Sequence, residues 1–187
     1  MSHGLDTVAP ATPLVWSDAF VLGHGPIDAT HREFVDCVRA IQLATDEGLL
    51  DALVAFEDHA RRHFTEEDRW MQETGFPPRD CHIDEHAAVL RSVEQVRELA
   101  QRGERAEVRR LADELARWFP GHADWLDSAL AHWLCKRALG GKPVIVRRDV
   151  REAIAQGRAQ AEDENARGDA SGTSVGDGVS SPDREVR

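Results

Sequence analysis

The sequence predicts an all-α protein: an up-down antiparallel four-helix bundle with an N-terminal arm and a C-terminal extension. Three observations predict it. Apolar residues recur at helical spacing through four long stretches between residues 27 and 139. Breakers separate the stretches at Gly48, at Gly75-Phe76-Pro77-Pro78 and at Gly103. No segment carries the apolar–polar alternation of a half-buried strand. Short connections favour antiparallel neighbours, and a bundle is the economical way to bury four amphipathic faces.

Residues 1–26 read as an extended arm. Pro10, Pro13 and the cluster Gly23-His24-Gly25-Pro26 break it, and Trp16 and Phe20 are its apolar anchors. From Ile27 the pattern turns helical (Phe34, Val35, Val38, Ile41, Leu43), with Asp28 as the expected N-cap. The second helix spans Leu49 to about Thr74 on Leu50, Leu53, Val54, Phe56, Phe64, Trp70 and Met71, and two prolines end it. The third spans Asp80 to Arg102 (Ile83, Val89, Leu90, Val93, Val96, Leu99) and stops at Gly103. The fourth runs from Glu104 to Leu139 on Val108, Leu111, Leu115, Trp118, Phe119, Trp125, Leu126, Leu130, Trp133 and Leu134. The bundle therefore occupies 27–139. Residues 140–167 form an extension in which Asp149 to Arg167 has the pattern of a short helix, weakened by Gly157. From Gly168 to Arg187 the chain is rich in Gly, Ser and Asp and too poor in apolar residues to offset its ordering entropy.

Composition excludes several function classes. Acidic residues outnumber basic ones 34 to 23 in the 187-residue chain, a net charge of −11. Nucleic acid and anionic membrane both select clustered positive charge, so neither is an expected partner. No apolar run approaches the roughly 20 residues that span a bilayer. No Lys or Arg precedes Arg32, so the basic start of a secretory signal is missing. Cys37, Cys81 and Cys135 are odd in number and widely spaced, which predicts neither a disulfide framework nor a CxxC site and points to a reducing cytosol. The chain has nine histidines, and their spacing carries the functional argument.

The first helix carries His31. The second carries His63 and Glu67, and the third His82 and His86; each pair is four residues apart and shares one helix face. The fourth carries His122 and Asp127. Imidazole nitrogens and carboxylate oxygens suit iron, zinc, manganese or copper, and a carboxylate can place one oxygen on each of two metals. Five nitrogens and two bridging carboxylates therefore fit a dinuclear site. With a three-and-two split of the histidines and one solvent-derived bridging oxygen, one metal is six-coordinate and the other five-coordinate, open to a small ligand. One spacing is awkward: five α-helical residues, from His122 to Asp127, turn the side chain by about 140°. Either the two side chains reach the metals from different directions or the helix widens locally.

The ordered elements Asp28-Ala29-Thr30-His31, His63-Phe64-Thr65-Glu66-Glu67 with Met71, Gly75-Phe76-Pro77 with His82-x-x-x-His86, and Trp118-x-x-x-His122-x-x-x-x-Asp127 resemble the signature of the hemerythrins. The arm at Leu14-Val15-Trp16 resembles the start of the bacterial members, and the resemblance covers about residues 14–135. It implies two iron ions with a bridging oxo or hydroxo group. His82, His86 and His122 would hold one iron, His31 and His63 the other, with Glu67 and Asp127 bridging. The implied activity is reversible O2 binding in a carrier, store or sensor rather than an enzyme. A site richer in neutral imidazole than in carboxylate stabilises the diferrous state, and a dry pocket slows autoxidation.

Some residues depart from that pattern. Pro120-Gly121 precedes His122 and should kink the fourth helix. Phe119 and Ala123 stand where the family has leucine and isoleucine near the O2 pocket, which predicts a reshaped pocket. His59, one turn before His63, is expected in an outer or surface role, and His24 and His132 as solvated or helix-end residues. Trp70, Trp118, Trp125 and Trp133 are expected in the core, Met71 near the site, and Cys81 as a buried structural thiol. The polar tail is a candidate docking segment for a protein partner. Two other functions compete: a di-iron redox enzyme or scavenger of peroxide or nitric oxide, and iron or zinc homeostasis.

Overall fold

The computed structural model describes residues 12–141. The expected short helix at 149–167, the tail from Gly168 and His3 lie outside the described residues. After a single 3-10 turn at Asp18–Phe20, the chain forms α1 (Gly25–Leu43), α2 (Leu49–Thr74), α3 (Arg79–Gln101) and α4 (Arg105–His122). A π-helical turn, Ala123–Asp127, leads directly into α5 (Ser128–Leu139). Backbone angles stay right-handed helical across both junctions, so α4, the π turn and α5 are one rod, the fourth helix of the bundle. The described residues are helical throughout their regular structure, without a strand. α1 and α3 each pack against both α2 and α4, as in a square four-helix array.

Helix ends follow local chemistry. α1 begins at Gly25, not at the expected cap Asp28, because Pro26 sits in its first turn where a missing N–H costs nothing. Asp28 instead turns back on the arm, accepting the backbone N–H groups of Leu22 (2.7 Å) and Gly23 (3.0 Å). Gly75 ends α2 in the left-handed region at φ 63°, while the Phe76 N–H donates to the Met71 carbonyl at 2.9 Å. Gly103 does the same after α3, at φ 94°. The arm is fastened to the bundle. The Leu14 N–H donates to the Gln42 amide oxygen at 2.7 Å, and the Arg32 guanidinium lies 4.0 Å over the Trp16 ring. Phe20 is buried against Phe119 at 5.1 Å between ring centroids.

Pro120 lies inside α4 and Ser128 donates its N–H to the Ala123 carbonyl, five residues back. That i→i+5 bond defines the π turn. The Ser128 hydroxyl occupies the Asp124 carbonyl. The helix therefore widens between His122 and Asp127, at the five-residue step where regular α geometry diverges. Pro120 removes the N–H that would bond the Ala116 carbonyl, and its ring is exposed, so that loss falls on the solvent side.

The apolar core has two parts. The larger contains Phe20, Phe34, Val38, Phe56, Phe64, Val93, Leu115, Phe119 and Ala123. The smaller contains Leu22, Ile27, Met71, Phe76, Leu130 and Ala131. Along α1 the order is Ile27, His31, Phe34; along α2 it is Phe64, Glu67, Met71; along the fourth rod it is Ala123, Asp127, Leu130. Each helix thus passes from one apolar cluster to the other through a polar layer, and the site lies in that layer.

Candidate metal centre

All seven predicted side chains meet in this layer. His31, His63, Glu67, His82, His86, His122 and Asp127 are each at most 5% exposed. They form two overlapping groups able to hold a metal. Glu67, His82, His86, His122 and Asp127 bring one ligand atom each to within 4.8 Å of one another, as do His31, His63 and Glu67.

The two carboxylates divide their oxygens between these groups. Asp127 places Oδ2 3.0 Å from His31 Nε2, and Oδ1 3.1 Å from His82 Nε2 and 3.3 Å from His122 Nε2. Glu67 places Oε1 3.2 Å from His63 Nε2, and Oε2 3.5 Å from His86 Nε2 and 3.8 Å from His82 Nε2. One oxygen of each thus faces His31 and His63, and the other faces the His82, His86 and His122 set. The π turn sets Asp127 in this position, because residues five apart come nearly into line where the helix closes i→i+5.

The far nitrogens of three histidines are fixed by acceptors. The Nδ1 of His31 faces the Phe20 carbonyl at 3.5 Å, that of His86 the Asp68 carboxylate at 2.8 Å, and that of His122 the Glu85 carboxylate at 3.1 Å. A neutral imidazole that donates from Nδ1 presents the Nε2 lone pair inward, as a metal ligand requires. Asp68 and Glu85 were not among the sequence-predicted residues. Their signal was available, since each adjoins a predicted residue, Glu67 or His86. Ring packing adds to the constraint: Phe64 stacks on His86 at 4.1 Å and Trp118 lies 4.2 Å from His122.

Comparison with known proteins agrees with this arrangement. The family model described as the hemerythrin HHE cation-binding domain matches residues 24–134. The chain belongs to the hemerythrin family. It is 40% identical over 122 residues to a bacteriohemerythrin of Ralstonia nicotianae, covering 65% of this chain and 89% of that one. A bacteriohemerythrin of Stenotrophomonas maltophilia is 29% identical over 129 residues, 63% of this chain and 79% of the relative. One of Clostridium acetobutylicum is 28% identical over 88 residues, 43% and 68% respectively. No solved structure gives a significant match.

The residues of this hemerythrin fit a metal by their own chemistry. Glu67 Oε2, His86 Nε2 and Asp127 Oδ1 are buried and, although ligand atoms of the cluster crowd them, none is in a well-directed hydrogen bond, which costs about 1–3 kcal/mol per group unless something else occupies them. His82 and His122 turn their Nε2 atoms on each other at 3.1 Å. Metal ions between these atoms would satisfy them all.

Burial sets the protonation of the metal-free cluster. It pushes the His63 imidazole down to about 3 against the pull of Asp127, and His86 down to about 4 against its bond to Asp68. Burial likewise pushes the Glu67 carboxyl up to about 8, with the Asp127 charge adding to it. Asp127 is equally buried, but His122, His31 and His82 surround it and hold it well below the usual carboxylate range. For His31 and His122 burial acts downward and is overcome by Asp127, so both are raised.

Around the centre, Phe119 is buried, stacks on Phe34 at 4.5 Å and stands edge-on to His31 at 5.2 Å. Ala123 is buried in the same cluster. A cleft of 680 Å³ between α3 and the fourth rod reaches Glu85 and His122 past Val89, Leu115 and Trp118. Met71 is buried in the smaller cluster. Trp70, Trp118 and Trp133 pack partly buried against the core, but Trp125 does not: it is 79% exposed, carried outward on the π turn. Cys81 is exposed rather than buried, because His82 next to it takes the inward face of α3. His24 stands at the N-terminal boundary of α1 without a capping side-chain bond and lies edge-on to Trp70, and His132 is exposed. His59 is buried, at 3% exposure, with Nδ1 3.3 Å from the Glu33 carboxylate.

Proposed function

We propose that this hemerythrin binds O2 reversibly at a dinuclear iron centre and serves as a carrier, store or sensor rather than as an enzyme. The observation that carries the reading is the division of each carboxylate between a three-histidine and a two-histidine set. His82, His86 and His122 would hold one iron, His31 and His63 the other, with Glu67 and Asp127 bridging. When bound, the two irons and their oxo or hydroxo bridge supply the affinity for O2 at the position short of one protein ligand. The chain's own residues do the rest. Asp68, Glu85 and the Phe20 carbonyl orient three imidazoles. Phe34, Phe119 and Ala123 keep water from the two-histidine side. The three free thiols support a reducing, cytosolic setting.

The test is metal content per chain, followed by absorption spectra of the anaerobically reduced protein before O2, after O2 and after O2 removal. Two irons and a band that appears with O2 and disappears on its removal are expected. Irreversible oxidation would move the assignment to a redox enzyme or scavenger, and zinc in place of iron would move it to metal homeostasis. Phe119 touches His31, so Phe119→Leu should change O2 release and autoxidation rates measured by stopped-flow. Unchanged rates would remove Phe119 from the pocket.

A further inference from the structure

Two of the five inward-facing histidines lack the outer acceptor that the other three possess. The Nδ1 atoms of His63 and His82 are buried with no hydrogen-bond partner. For His63 an acceptor lies close by. One turn earlier on α2, His59 is buried among Phe34 and His63, its ring centroid 5.5 Å from that of His63. Its Nδ1 is 3.3 Å from Glu33 Oε2, while its Nε2 is buried and unpartnered. Glu33 itself is 63% exposed on α1.

These atoms complement one another. The Glu33 carboxylate accepts a hydrogen bond from the Nδ1–H of His59, which leaves the lone pair on His59 Nε2. His63 turns Nε2 inward, toward Glu67, and as a metal ligand through that nitrogen it carries its proton on Nδ1. One buried donor and one buried acceptor, each without a partner among the described side chains, sit on neighbouring rings. Two imidazoles joined by an N–H···N bond of about 3 Å have centroids roughly 5 Å apart, so a small ring rotation closes the bond.

We propose that His59 is the positioning residue of His63, joining it to the surface through a Glu33–His59–His63 line of hydrogen bonds. It replaces the carbonyl or single carboxylate that serves His31, His86 and His122, and it acts on the two-histidine side of the centre. An acceptor on Nδ1 fixes the ring and makes Nε2 a stronger donor to a metal. The inference rests on the assignment of His63 as a ligand made above, and its consequence is specific: His59 sets the affinity of one of the two metal positions.

Two measurements test it. In uniformly ¹⁵N-labelled protein loaded with diamagnetic zinc(II), the His63 Nδ1–H should give a protected downfield proton resonance. It should persist in His59→Gln, whose amide oxygen accepts, and vanish in His59→Leu. Its absence from the zinc-loaded wild-type protein overturns the proposal. In titrations of the metal-free protein with cobalt(II) followed by absorption, one of two equivalents should weaken by about 10- to 100-fold in His59→Leu. The other equivalent should be unchanged, and His59→Gln should recover most of the loss. Glu33→Gln should weaken the same equivalent by a smaller factor. Equal weakening of both equivalents, or none, overturns the proposal. A wild-type protein that shows the resonance yet binds fewer than two cobalt ions sinks the dinuclear reading and leaves the hydrogen bond standing.

Discussion

Asp127→Ala should leave the protein holding at most one tightly bound metal ion per chain. The reason is the division of its two oxygens: Oδ2 faces His31 at 3.0 Å, while Oδ1 faces His82 and His122 at 3.1 and 3.3 Å. On the proposed assignment, removing the carboxylate would take one ligand from each position together with a negative charge that both cations need. Glu67→Ala should act alike, since its oxygens face His63 on one side and His86 on the other. Single-histidine variants should differ in kind. His63→Ala takes a ligand only from the two-histidine side and should weaken one equivalent. Metal content after iron loading, with circular dichroism to show that the helices persist, separates these cases. Two magnetically coupled irons in either carboxylate variant would show that the bridge is assigned to the wrong residues.

Much of this was legible in the sequence because each signal was local. Helical periodicity bounded by Gly48, Gly75 and Gly103 placed the bundle's helices to within a few residues. The one-turn spacings of His63 with Glu67 and of His82 with His86 assigned those pairs to single faces. The five-residue step from His122 to Asp127 left two geometries open, and the π turn is the one the chain adopts. What sequence reasoning missed depends on contacts across helices. Asp68 reaches His86 on α3, and Glu85 reaches His122 on the fourth rod. Neither pairing follows from spacing along one helix, although the need of every ligating imidazole for an outer acceptor pointed to nearby carboxylates. Trp125 was misplaced for a related reason. Its expected face assumed 3.6 residues per turn, and the π turn rotates it into solvent. Asp28 was misread as a cap because Pro26 starts the helix earlier.

Metal removal should expose how much of this fold depends on its polar layer, and pH should show which groups are responsible. In the metal-free protein, His63 and His86 are pushed down to about 3 and about 4, below the ordinary imidazole value of 6.5. The unfolded chain therefore takes up protons first as pH falls below 6.5, and folding stability declines from there toward the folded values. Each such group contributes on the order of 3 kcal/mol to that loss. Glu67 acts in the opposite direction. Its carboxyl is pushed up to about 8 from an ordinary 4.5, so the folded state holds a proton that the unfolded state has released. Stability then falls as pH rises through that interval, and the raised His31 and His122 add to the fall above 6.5. Between 4.5 and 6.5 His63 and His86, with His59, which burial also pushes down to about 4, outweigh the one carboxyl. The metal-free protein should therefore be most stable near pH 6.5 and lose stability on both sides. Metal loading converts Glu67 to the carboxylate and removes the alkaline decline. At pH 7 it should release about one proton per chain from Glu67, and the raised His31 and His122 add to that release. Urea denaturation of chelator-treated and metal-loaded protein at pH 5, 6.5 and 8 would show the two profiles, and calorimetry in buffers of different ionisation enthalpy would count the protons. A metal-free profile that keeps rising from pH 6.5 to 8 would mean that Glu67 is already ionised and that His31 and His122 are neutral before the metals arrive.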